Sequence, residues 1–407
     1  MRAAELLRIL PPLWCGLLAL AGTRAAAATL SSESSVSLAS EYNSNPYLLN
    51  SGANAAEAVA ALATLPATYT SDAQSFEVVP SVRFAETHGN TQLLTDYQYL
   101  NADWHLSSER DTYTVGGEWH RDSTFYNVFE NAELRGHTLP RLEESANAGW
   151  SRALTERSNL QLAATYDQVN YDSRQGFRLG NFNYGQASLE YDWSLTERWT
   201  SSTAAGYGRY ELRQQDSTNE NRFAQTSLTR ALSEQWSASA QVGYSRVSSS
   251  AEALLCCAIV PVPGGYALAY IPVKESSSGG IIDYTLSLER RTERWTLDVS
   301  ASRSVQPSSL GALLTQENAG ARASFALNER LQLAAGVRSS LQSNSLQQAG
   351  AVSSARYDAI ESDITWQWTE HWTLALQGTY SQQRLVSQGS GAAVSVTLSR
   401  QFGRIRL

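Results

Sequence analysis

The sequence predicts an all-β protein: a closed antiparallel β-barrel that crosses a membrane with strands. Three observations carry this. A short turn phrase recurs along the chain, period-two alternation follows each copy, and aromatic residues stand at two heights on the alternating segments.

The N-terminal stretch stands apart. Arg2 and Arg8 precede an apolar run from Ile9 to Gly22, then Arg24-Ala-Ala-Ala-Ala28, which is the order of a secretory signal peptide. We read residues 1–28 as a cleaved leader and 29–407 as one barrel domain. Beyond Cys15 in the leader only the adjacent Cys256 and Cys257 remain, so no disulfide framework supports the fold. Removing Arg2, Arg8, Arg24 and Glu5 from the 31 basic and 39 acidic residues leaves 28 and 38, a net charge near −10, which argues against nucleic acid as a partner. The most apolar later stretch, Leu254 to Val273, contains Pro261, Pro263, Gly264, Gly265 and Pro272, which exclude a membrane helix.

The turn phrase occurs seven times, from Leu106-Ser-Ser-Glu-Arg110 to Trp368-Thr-Glu-His-Trp372, with its glutamate at 109, 156, 197, 234, 293, 329 and 370. The intervals are 47, 41, 37, 59, 36 and 41 residues, and the common value holds two strands and one loop. After the turns Trp236, Ala238, Ala240, Val242 and Tyr244 alternate with Ser, Gln and Gly, and the pattern recurs from Trp295, Leu331 and Trp372. Each strand thus has one apolar and one polar face. Trp199, Trp236, Trp295 and Trp372 open their strands where an interfacial girdle belongs. Tyr166, Tyr207, Tyr244 and Tyr380 stand eight residues into theirs, about 26 Å at 3.3 Å per residue, close to the height of an apolar band. Mean hydropathy of −0.32 suits a lipid-facing ring around a wet lumen.

Strands read outward from the turns give a ring with short periplasmic turns and long extracellular loops. The first runs from Ser32 to Tyr42 and the second from Ser75 to Thr87, with His88 in a periplasmic turn. The stretch from Thr91 to Ser108 decides the count: split at Asn101-Ala-Asp103 it gives 18 strands, and the alternative is 16. The long first loop, 43–74, holds the Ala-rich segment Asn54 to Leu65, whose composition favours a short helix that could constrict the lumen. The 59-residue interval holds Leu255, Cys256, Cys257, Tyr266 and Tyr270, either as a hairpin prolonging its two strands or as a constriction or contact loop.

Val36-Ser-Leu-Ala-Ser-Glu-Tyr-Asn-Ser-Asn-Pro46, the Leu-Thr-Glu-Arg turns, Glu118-Trp-His-Arg-Asp-Ser-Thr124 and Tyr166-Asp-Gln-Val-Asn-Tyr171 together resemble the β-barrel porins of Gram-negative outer membranes, a group often encoded beside exopolysaccharide or exosortase loci. The resemblance implies an outer-membrane address, with outer-membrane lipid, lipopolysaccharide and the insertion machinery as partners. Members usually end on an aromatic residue; here Phe402 fits, yet Gly403 to Leu407 continue.

For function the sequence supports a channel, with Arg152, Arg209, Arg303, Arg338, Asp167, Asp298, Gln241, Gln332 and Gln377 as candidate lumen residues. Its cargo would be small polar solutes or an exported polysaccharide. The alternative is a non-conducting barrel that docks a polysaccharide or secretion partner. A rim hydrolase would need Glu118, His120, Asp122 and Ser123 to act together; polar residues are expected at a strand mouth anyway, and we do not read an enzyme. No spacing of Cys and His suggests a metal, and no motif suggests a cofactor.

Overall fold

The computed structural model describes residues 28–49, 54–89, 96–124, 139–172, 180–213, 217–262, 265–307, 313–344, 354–384, 388–403 and 405–406, of which 251–275, 344, 405 and 406 are described by their backbone alone. The leader reading falls outside these residues. In chain order the strands are β1 (Thr29–Ser32), β2 (Ser35–Asn43), β3 (Ala56–Thr64), β4 (Ala67–Thr70), β5 (Gln74–Gly89), β6 (Tyr97–Ser107), β7 (Asp111–Ser123), β8 (Pro140–Thr155), β9 (Ser158–Tyr171), β10 (Phe182–Thr196), β11 (Trp199–Leu212), β12 (Ser217–Ala231), β13 (Trp236–Val262), β14 (Gly265–Arg291), β15 (Trp295–Pro307), β16 (Leu313–Asn328), β17 (Leu331–Asn344), β18 (Ala355–Gln367), β19 (Trp372–Arg384), β20 (Gln388–Gln401) and β21 (Ile405–Arg406).

Three of these 21 strands are short, and the remaining 18 pair antiparallel with their neighbours until β2 meets β20 in register from Ser35↔Gln401 to Asn43↔Ala393. That pairing closes the ring, so the wall that all 18 strands share has no free edge. The ring would measure roughly 36 Å between opposite backbones if round, from 18 strands spaced about 4.8 Å and tilted about 40°. The short strands β1, β4 and β21 pair with one another below the short-turn rim, Leu30↔Tyr69 and Ser31↔Arg406. Ile405 and Arg406, beyond Phe402, therefore join a small rim sheet with the N-terminal segment.

The count of 18 holds, but the strand that completes it is not the expected one. The Ala-rich segment is β3, not a helix, and pairs with β2 and β5 over its full length. Its alternation explains this: Ala56, Ala58 and Ala60 are buried on the lumen side while Glu57 and Val59 face out. Alanine's helix preference is weak beside the backbone pairing that two flanking strands offer. One unbroken strand, β6, then replaces the two expected between Thr91 and Ser108, and His88 lies at the long-loop rim, paired with Glu57, rather than in a periplasmic turn.

Each turn phrase closes a hairpin, and its small polar residue does the closing. Thr196 Oγ1 accepts the amides of Arg198 and Trp199, Ser233 Oγ those of Gln235 and Trp236, Asn328 Oδ1 those of Arg330 and Leu331, and Thr369 Oγ1 those of His371 and Trp372. These side chains satisfy amides that the tight reversal strips of ladder partners.

Candidate functional site

Strand register sorts every wall residue into an outward or an inward row. The outward row carries Leu38, Phe84, Val115, Leu162, Leu189, Val242, Ile282, Leu286, Val337, Ile360 and Val396, all at least 39% exposed although apolar, which fits a surface meant for hydrocarbon rather than water. The girdle tryptophans are braced across strands: Arg230 lies over Trp199 at 4.7 Å, Arg290 over Trp236 at 5.3 Å and Arg400 over Trp372 at 5.4 Å, while Trp295 packs on Phe325 at 4.4 Å. The cation faces the ring's negative face, and the aromatic and its partner share one height at the rim.

The inward row is polar and unevenly charged. On β6 to β10 it presents Asp103, Glu118, His120, Asp122, Glu143, Asp167, Glu190 and Asp192. Arg141 answers part of this charge: it holds Asp122 in a two-pronged, buried pair at 2.9 and 2.8 Å and reaches Glu143 at 3.0 Å, with the Tyr99 hydroxyl donating to Asp122 at 3.0 Å. Half the ring away, β16 to β18 carry Arg322 and Arg338, which pair with Asp363 at 2.5 Å and Glu361 at 2.7 Å. One wall is thus acidic beyond its single arginine, and the wall facing it is a self-neutralising ladder.

The long-loop mouth is narrowed from two sides. Val169, Tyr171, Phe182, Tyr210, Leu212, Val247 and Ile281, all inward, form one apolar cluster with Leu139 and Leu313. Opposite, the turn after β2 folds in so that Leu48 packs on Tyr357 and Ala359, with Asn45 pinned to Leu49 and Ser390 at 2.8 and 2.9 Å. Neither feature is visible as a periodicity, because each joins residues from distant strands.

The β15–β16 hairpin leaves the wall. Pairing between β14 and β15 ends at Tyr284↔Arg303, and above it Val305 and Leu313, outward by alternation, pack with the inward Val247 and Ile281. The described upper ends of β15 and β16 therefore lean across the lumen side of β13 and β14.

Against this frame the expected lumen residues divide. Arg338, Asp167, Asp298, Gln241, Gln332 and Gln377 occupy inward positions. Arg152 and Arg209 do not: Arg152 pairs outward with Asp111 at 3.9 Å near the short-turn rim, and Arg209 pairs outward with Glu211 at 2.6 Å above the apolar band. Beyond the band the outer face is itself in water, so charge there says nothing of the lumen and only alternation decides. Arg303 is outward by alternation and pairs with Glu317 at 3.5 Å, yet it borders a lumen cavity because its hairpin leans in.

The Leu255 to Tyr270 stretch continues the β13–β14 ladder as a two-strand arm. Above Ser250 and below Tyr284 in pairing order, these strands have only each other, and the register shifts between Leu255 and Ala258 so that Cys256 and Cys257 occupy a bulge opposite Tyr270. At the rim that a hydrolase would have needed, His120 lies 3.0 Å from Asn101 and 3.4 Å from Glu118, while Asp122 is committed to Arg141.

No protein-family model and no curated protein matches the sequence. Among solved structures the chain is similar to the ferric yersiniabactin uptake receptor FyuA from Yersinia pestis, with 11% identity over 92% of this chain and 66% of that one at a TM-score of 0.50. It is also similar to OccAB4 from Acinetobacter baumannii, with 8% identity over 92% and 98% of the chains at 0.49, and to OpdQ from Pseudomonas aeruginosa, with 11% identity over 92% and 99% at 0.43. At these identities the shared property is the fold.

Proposed function

We propose that this chain is a channel of the Gram-negative outer membrane, exported with a cleaved leader, that passes small polar solutes through its lumen. The observation that carries the reading is the pairing of an exposed apolar outer row, girdled by Arg-braced tryptophans, with a polar and charged inner row in a ring of 18 strands. Rings of this size leave an aqueous interior unless something fills it. In this reading the short-turn rim is periplasmic, the long-loop rim is extracellular, lipid and lipopolysaccharide cover the outer row, and the insertion machinery reads the last strand around Phe402. The acidic β6–β10 wall sets the ion preference, and cations outrun anions. Purified protein in planar bilayers tests this: stepwise conductance with a reversal potential of cation sign supports it, and electrically silent protein refutes it.

The β13–β14 arm favours a second reading. A ladder projecting roughly 40 Å beyond Ser250, from 12 further residues to Val262 at about 3.3 Å each, offers a docking post for an exopolysaccharide or secretion component. Recovery of such a component with the intact chain, and its loss when residues 252–274 are replaced by a tight turn, would favour that role.

A further inference from the structure

Beneath the apolar cluster, the inner faces of β10 to β15 line a half-open cavity of about 210 Å³. Glu190, Asn221, Phe223, Gln225 and Asp283 line it, and Arg303 closes one side from the leaning hairpin. Three side-chain atoms in this lining are buried without a hydrogen-bond partner: the acceptors Asn221 Oδ1 and Asp283 Oδ1, and the donor Arg303 Nε, whose ion-pair partner is Glu317 Oε1 at 3.5 Å; Asn221 as a residue is only 6% exposed. The other carboxylate oxygen of Asp283 takes the Ser245 hydroxyl, which fixes the direction of the free one.

The orphan donor is answered by the charge of Glu317 and the two orphan acceptors take no hydrogen bond, so the demand left in the cavity is for donors. Its charge points the same way: Glu190 and Asp283 are acidic, and the one guanidinium on the lining, Arg303, is already shared with Glu317 at 3.5 Å. Phe223 adds an aromatic ring. It lies against Gly206, where a Cβ would fall 2.3 Å from the ring's Cζ, so the missing side chain is what lets the ring lie flat on the wall. A donor-rich cation beside two carboxylates, an amide oxygen and a ring face is held by ion pairing, hydrogen bonds and cation–π attraction together.

We propose that this cavity is a binding site for a small organic cation bearing ammonium or guanidinium N–H groups, set in the wall of the pathway. The proposal deepens the channel reading and rests on it for the solute's route, though not for its binding. The test is calorimetric titration of the full-length barrel in detergent with putrescine and ethylguanidinium, with sucrose and succinate as controls, beside planar-bilayer recording of the same preparations. The expected result is saturable binding of the two cations alone, weakened at least tenfold in Asn221→Leu and in Asp283→Asn, each verified as a heat-modifiable barrel. Glu190→Gln, which leaves both orphan acceptors in place, serves if either variant fails to fold, and the same weakening is expected of it. Cation binding that no variant weakens, no cation binding, or preferential binding of sucrose or succinate would overturn the site. Binding without conductance supports the site and removes the channel; conductance without binding removes only the site.

Discussion

The small polar residue in each turn phrase carries more of the fold than the glutamate that makes the phrase conspicuous. Thr369 takes two amides that would otherwise lack partners, and a net hydrogen bond is worth about 0.5–1.5 kcal/mol. Thr369→Val should therefore lower the stability of the refolded barrel by about 1–2 kcal/mol in urea titrations in lipid vesicles, while Glu370→Gln should leave it nearly unchanged. The Asp122–Arg141 pair is a different case, since both side chains are at most 5% exposed. Removing one partner strands a buried charge, so Arg141→Met should cost about 3–5 kcal/mol, and adding Asp122→Leu should restore much of that loss. An additive double variant would contradict this account of the pair. The turns were legible in the sequence because their pattern is local. The ion pair was not, because it joins Asp122 to a residue across a loop whose length hides the register.

At the scale of the element, β3 is the instructive strand. Its composition speaks for a helix and its neighbours make it a strand, because the ring closes only if the backbone between β2 and β5 is paired. Ala61 faces outward between Leu38 and Phe84. Arginine there meets lipid, and Ala61→Arg should destabilise the barrel by about 2–4 kcal/mol in the same vesicle titration; a segment lying in an extracellular loop would tolerate it. The β13–β14 arm gives the opposite expectation. Because its strands pair only with each other beyond Ser250, replacing residues 252–274 by a tight turn should leave the heat-modifiable mobility shift of the folded barrel intact. The long interval after Glu234 marked the arm, and the prolonged hairpin was one of the readings open there. The inward lean of β15–β16 was hidden, since Val305 and Arg303 keep the alternation of an ordinary wall strand and only the end of pairing with β14 betrays the bend.

For the whole molecule, an outer apolar ring and an inner polar ring follow from period-two alternation, and closure follows from the cost of an unpaired edge in hydrocarbon. What alternation does not contain is the state of the interior. The apolar cluster at the mouth, the turn pinned by Asn45 and the leaning hairpin all narrow the path, and all arise from contacts between strands far apart in sequence. In the channel reading, the acidic β6–β10 wall opposite the Arg322–Arg338 ladder would give the passage its sign. The most direct measurement is the reversal potential of single channels under a tenfold potassium chloride gradient. The account predicts discrete conductance steps with cation preference, weakened when Glu118 and Asp167 are both changed to their amides. Protein that is folded and inserted yet passes no current, or passes anions in preference, would contradict it.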